Sequence, residues 1–288
     1  MTADVLGSYW TLCGPVEIHE GREWSLFDWP ERCAEAARVG MAGLGLWHAD
    51  LIHLLERRSL AELRTIFTDH GLRLLELEFL NDWFTDEGSA ERKASDEYRN
   101  LLFDAVAELG VHHIKVGNIF GTKCDRNKVI DAFGELCADA AKRHEATITY
   151  EIMPFDVNAP TFDAGLEIVT SVGADNGGLA LDFWHLGKFG VEPERLREIP
   201  RRYLSYVELS DGQVANMPDH TDETINHRKL PGEGEFDVRG YVRVLRSLGY
   251  DGPWGVEVIS AWLRSLPIGE IFDRTAKAVE LSLMEGDQ

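Results

Sequence analysis

The chain has 288 residues, with 29 basic residues against 50 acidic ones and a formal charge of −21. Phosphate binding needs a basic footprint, so this balance excludes a nucleic-acid partner and equally disfavours docking on an anionic membrane. Apolar residues at 44% and aromatics at 10% suffice for a large core, which separates the chain from disordered acidic proteins.

In chain order, apolar strand-like runs alternate with amphipathic helical stretches. The first residues, Met1 to Gly7, have neither a basic nor an apolar leader segment, and no run approaches the 18 apolar residues of a membrane span. The expectation is a cytoplasmic protein. Predicted strands are Leu6–Leu12, Gly43–Trp47, Leu72–Leu80, His112–Val116, Thr147–Ile152, Gly178–Phe183, Tyr203–Leu209 and Trp254–Ile259. Between the second and third, Ser59 and Glu62 form a capping box ahead of Leu60, Leu63, Ile66 and Phe67. Helical stripes follow: Tyr98 to Leu109, Val129 to Ala140, Val238 to Leu248 and Ile268 to Val279. Cys13, Cys33, Cys124 and Cys137 have no metal-site or disulfide spacing, and reduced thiols are expected.

Gly40, Gly71, Gly110, Gly173 and Gly249 stand where helices should end, at intervals that reduce to a unit near 36 residues. Eight such units fill the chain. Eight strand–helix units without a low-complexity linker predict an α/β fold, a (β/α)8 TIM barrel forming one domain over 1–288. A doubly wound sheet is the runner-up, but no Gly-rich phosphate loop follows the first strand. The longest irregular stretch, Ser210 to Glu235, follows strand seven, and a loop of that length inside a compact domain is usually functional.

Barrel strands are buried on both faces and should be almost wholly apolar. Strands five to eight break that rule near their C-terminal ends, with Glu151, Asp182, Glu208 and Glu257. Unpaired buried carboxylates are costly, and in a barrel these ends converge on the active-site face. A divalent metal makes such a cluster tolerable, and an all-carboxylate set suits Mg, Mn or Ca over Zn. The competing expectation pairs some of these carboxylates with arginines in the barrel mouth. Asp211 is expected to bind loop backbone rather than metal.

Glu151, the Asp182-x-x-His185 and Glu208-x-x-Asp211 steps, Arg228 in Arg228-Lys-Leu-Pro-Gly-Glu-Gly-Glu-Phe-Asp, and Glu257 resemble the xylose isomerase-like TIM-barrel superfamily, and within it the sugar phosphate isomerase/epimerase group. The resemblance covers essentially the whole chain. It implies that Glu151, Asp182 and Glu257 hold one divalent ion, Mn or Mg, with Glu208 at the fourth ligand position. That position is usually His, or Gln in the branch containing dehydroshikimate dehydratase-like enzymes; the stretch around Glu208 looks closer to the Gln branch. It further implies that His185 contacts substrate oxygen.

The implied chemistry is proton abstraction beside a carbonyl, with Glu151 and Glu257 taking and returning the proton and the metal stabilising an enediolate. Epimerisation, aldose–ketose isomerisation and β-elimination all start from that step. Arg228 would hold a substrate oxygen; Lys115 would point into the barrel from strand four; Glu78 is a better site candidate than Glu76. Trp10, Trp47, Trp83 and Trp184 serve either as sugar-facing walls or as core, His48 is undecided, and His112 and His113 read as structural. The expected partner is a small, uncharged sugar or cyclitol, and self-association stays open.

Four functions compete: a metal-dependent keto-sugar isomerase or epimerase; a dehydratase or other lyase acting on a cyclitol, a dehydroshikimate-like compound or a 3-keto-glycoside; a nuclease; and a non-catalytic barrel. The nuclease would need further His ligands and a basic face, and the chain has neither.

Overall fold

A computed structural model describes residues 3–19, 21–143 and 146–285. The chain runs β1 (Val5–Gly7), α1 (Tyr9–Leu12), α2 (Trp29–Arg38), β2 (Gly43–Trp47), α3 (His48–Leu55), α4 (Leu60–Asp69), β3 (Leu74–Leu80) and α5 (Ala90–Leu109). It continues with β4 (Val111–Val116), α6 (Arg126–Arg143), β5 (Thr147–Glu151), α7 (Phe162–Val172), β6 (Gly177–Asp182), α8 (Phe183–Phe189) and β7 (Leu204–Leu209). Then come α9 (His220–Asn226), α10 (Val238–Ser247), β8 (Trp254–Val256), α11 (Ala261–Arg264) and α12 (Ile268–Glu285). The eight strands pair in parallel, each with its sequence neighbour, and β1 closes onto β8.

Local chemistry sets the helix ends. The Ser59 side chain accepts from the Glu62 amide while Glu62 accepts from the Ser59 amide at 2.8 Å, starting α4. Asp28 caps α2, which has proline in its first turn. Gly110 and Gly173 end α5 and α7 in the left-handed region, at φ of 66° and 64°, where a side chain is disfavoured.

Two predicted strands, the first and the eighth, stop three or more residues before their expected C-terminal ends. β1 stops at Gly7, and Tyr9 to Leu12 turn into a buried helix whose first amide donates to Glu78 at 3.0 Å. β8 stops at Val256, because the Val258 amide turns to the Thr11 hydroxyl at 2.7 Å. Both ends are set by contacts with distant segments, which local periodicity does not report. The stretch Ser210 to Glu235 is also not wholly irregular: it contains α9, and Asp211 pairs with Lys229 in an antiparallel bridge.

The main core fills the space between barrel and helices. Inside the barrel the apolar plug is small, built on Leu6, Ala180 and Tyr206. Gly255 makes room for it, since a Cβ there would lie 2.2 Å from the Tyr206 hydroxyl. Side chains two residues apart on a strand share a face. Ala180 therefore leads to Asp182, Tyr206 to Glu208 and Gly255 to Glu257, and the layer above the plug is charged. All four cysteines are free, and burial pushes the Cys13, Cys33 and Cys137 thiols up to about 12. Among the described residues no helix is long and apolar enough to cross a membrane.

Candidate active site

Glu151 and Asp182 are the last residues of β5 and β6, Glu208 lies one residue before the end of β7, and Glu257 directly follows β8. The register pairs Asp182 with Glu208 and Glu208 with Gly255, so the strand ends finish level. One carboxylate oxygen from each of Glu151, Asp182, Glu208 and Glu257 falls within 4.8 Å of the others. Glu151, Asp182 and His185 form an overlapping group. All five residues are buried.

Counter-ions and caps fix these side chains. Asp182 uses Oδ1 to cap α8, accepting from the Trp184 amide at 2.8 Å, and turns Oδ2 to Arg228 Nη1 at 2.5 Å. The same nitrogen donates to Glu257 Oε2 at 3.0 Å. Lys115 Nζ donates to both oxygens of Glu208, at 2.9 and 3.1 Å, and to Glu257 Oε1 at 2.8 Å. It also lies 3.2 Å from Glu78 and 3.5 Å from Glu76. His185 Nε2 stands 3.3 Å from Glu151 and 3.5 Å from Asp182. The expected pairing with a mouth arginine is therefore present at Arg228, alongside the carboxylate cluster.

Burial would strip Lys115 of its proton, but the surrounding Glu151, Glu208 and Glu257 charges hold it well above the ordinary lysine value. Burial pushes Glu151 up to about 7, against the pull of Lys115. It also raises Glu208, helped by the Glu257 charge, and Glu78 despite Lys115. Burial lowers His185 to about 4, so its imidazole is neutral near pH 7. Six carboxylates (Glu76, Glu78, Glu151, Asp182, Glu208, Glu257) thus share two buried cations, Lys115 and Arg228.

A cavity of about 300 Å³ opens onto this cluster. Its polar floor is Glu78, Lys115, Glu151, His185, Arg228 and Glu257, while Asp182 and Glu208 are not among the residues lining it. Trp10 and Trp47 line it as walls; Trp83 is core, edge-on to Phe84 and Tyr150, and Trp184 packs under the Arg228 guanidinium at 4.7 Å. Glu76 lies outside the cavity with His113 at 3.5 Å, and His48 also lies outside it, accepting from the Phe79 amide at 3.4 Å. Asp211 accepts from the amides of Gly212, Gly232, Gly234 and Phe236 at 2.7 to 3.1 Å, binding loop backbone as expected.

Several cavity residues were not anticipated from the sequence: Phe79, Ile119, Phe120, Met153 and Phe155, together with Thr221, Thr224 and Ile225 on α9. The first five lie at or just past the C-terminal ends of β3, β4 and β5, which is the one signal that could have marked them. Nothing local marks the α9 residues, because their placement depends on how the long loop folds back.

The profile of the family described as "Xylose isomerase-like TIM barrel" matches residues 33–280. The chain belongs to the xylose isomerase-like TIM barrel family. Curated relatives include a 3-dehydroshikimate dehydratase of Pseudomonas aeruginosa, 27% identical over 252 residues, covering 83% of this chain and 37% of that protein. The chain therefore spans a little over a third of the length of that dehydratase. An inosose isomerase of Bacillus velezensis is 24% identical over 209 residues, covering 71% of this chain and 73% of its own. Among solved structures, the IolI protein with a bound zinc atom superposes with a TM-score of 0.81 at 20% identity, covering 97% of this chain and 98% of that one. The 3-keto-D-glucoside 4-epimerase YcjR of E. coli gives 0.70 at 15% identity, covering 98% and 100%. These structural likenesses are of fold, and the named relatives are enzymes: isomerases, epimerases and dehydratases.

Proposed function

We propose that this chain is a divalent-metal-dependent isomerase or epimerase of an uncharged keto-sugar or related polyol. The observation that carries the reading is the convergence of Glu151, Asp182, Glu208 and Glu257 within 4.8 Å, beside a cavity that Glu151 and Glu257 line. The donor set fits a hard cation: it is all oxygen, and the surrounding carboxylates outnumber Lys115 and Arg228. Glu151, Asp182, Glu208 and Glu257 would hold Mn or Mg, which when bound supplies Lewis-acid stabilisation of charge developing on a substrate oxygen.

Glu151 and Glu257 are the two carboxylates of the four that line the cavity, so they are the proposed proton carriers. In the metal-free site burial pushes Glu151 up to about 7, while burial of Glu257 is outweighed by Lys115 and Arg228, which hold it below the ordinary carboxylate value. One can accept a proton while the other donates. Neutral His185, 3.3 Å from Glu151, is placed to hydrogen-bond a substrate hydroxyl. An anionic substrate is disfavoured because Lys115 and Arg228, on the cavity floor, are already committed to carboxylates. That argues for a neutral ring over a phosphorylated or carboxylated one.

Binding of Mn or Mg measured by calorimetry, and exchange of the α-proton of keto-sugars and inososes with D2O followed by NMR, test the reading together. The Glu257→Gln variant should lower exchange and turnover by about 10²- to 10⁴-fold. Unchanged turnover at matched metal occupancy contradicts the proton-transfer role. The likeness to dehydratases supports a second reading, elimination of a β-hydroxyl on the same scaffold. Loss of water with a rising enone absorbance would favour it.

A further inference from the structure

The walls of the cavity differ in kind from its floor. Trp10, Trp47 and Phe79 belong to an apolar cluster separate from the main core, with Ile119 packed against it, and all four line the cavity. The Trp47 indole N–H is spent on Glu23, at 3.0 Å. Phe120 and Phe155 complete this side and remain 64% and 37% exposed. Aromatic side chains left that open beside a cleft mark a surface that an apolar group covers. A bare sugar or cyclitol carries hydroxyls around its whole ring, and each one buried without a partner is costly. The polar floor can serve one end of a ligand, while the side chains of Phe79, Ile119, Phe120 and Phe155 offer no hydrogen-bonding group.

We infer that the site takes a glycoside-like substrate: a ketone-bearing sugar ring on the polar floor, joined to an apolar aryl or alkyl group lodged against Phe120 and Phe155. This rests on the proposed carbohydrate function and names its substrate class. The apolar walls supply affinity and the floor supplies orientation, which is how small-molecule sites divide their labour.

The test uses the Mn-loaded full chain and two probes, D-glucose and phenyl β-D-glucopyranoside, titrated against the fluorescence of the cavity tryptophans. The phenyl glucoside should bind at least about tenfold tighter than glucose, through burial of the phenyl surface. Phe120→Ala should cut that advantage by at least about threefold and leave glucose affinity unchanged; the side chain is 64% exposed, so the core stays intact. Affinities within about threefold of one another, or a variant that weakens both probes alike, would overturn the aglycone subsite alone. Failure of both probes to bind the metal-loaded protein would overturn the subsite, whereas absence of α-proton exchange with keto-sugars and inososes would overturn the carbohydrate reading itself.

Discussion

The ammonium of Lys115 stands 2.8 Å from the carboxylate of Glu257, reaching it across 142 positions of sequence. Arg228 grips the other oxygen of the same carboxylate at 3.0 Å, so Glu257 is held from both sides. Removing one member of a buried pair strands the other charge and costs about 3–5 kcal/mol. Lys115→Met should therefore lower the stability of the metal-free protein by about 3 kcal/mol in denaturant unfolding. It should also tighten Mn binding in calorimetry, because a competing cation beside Glu208 and Glu257 is gone. Weaker metal binding in this variant would contradict the charge argument.

Asp211 gathers four backbone amides of the seventh loop. At about 1 kcal/mol of net stabilisation per hydrogen bond, Asp211→Ala should cost about 3 kcal/mol or more in chemical denaturation. Asp211→Asn, which keeps an acceptor oxygen, should lose less and retain wild-type divalent affinity. A loss of metal binding in the Asn variant would make Asp211 a ligand.

Helix α9 forms part of the cavity wall and is tied down by Lys188, which pairs with Glu223 in a buried contact and also reaches the Ala215 carbonyl at 3.3 Å. Lys188→Met should loosen this segment without unfolding the barrel. Limited proteolysis between 213 and 227 should run roughly tenfold faster, equivalent to about 1.4 kcal/mol of local stability. KM should rise more than kcat falls, because Thr221, Thr224 and Ile225 line the cavity. An unchanged cleavage pattern would show that the latch is elsewhere.

Burial lowers the His48 imidazole to about 4 from its usual 6.5. The unfolded chain therefore binds a proton at this residue below about pH 6.5, while the folded protein resists it down to about 4. Between those values the unfolded state carries more protons, so this contribution to stability is present above pH 6.5 and is lost as pH falls. The stability of wild type relative to His48→Asn should fall on acidification by up to about 1.4 kcal/mol per pH unit within that window. Parallel curves for the two proteins would contradict it.

What the sequence by itself determined is the part governed by local spacing. Five helix-ending glycines, all at positive φ, and eight apolar runs carried the barrel. The same runs, broken by carboxylates near their ends, carried Glu151, Asp182, Glu208 and Glu257, because strand period and a closed parallel barrel bring equivalent positions to one end. The tertiary structure decided what surrounds them. That Lys115 serves Glu208 and Glu257, that Arg228 bridges Asp182 and Glu257, and that α9 folds over the cavity all depend on contacts between distant segments. A carboxylate's position along a strand is a local property, but its counter-ion is chosen only when the barrel closes.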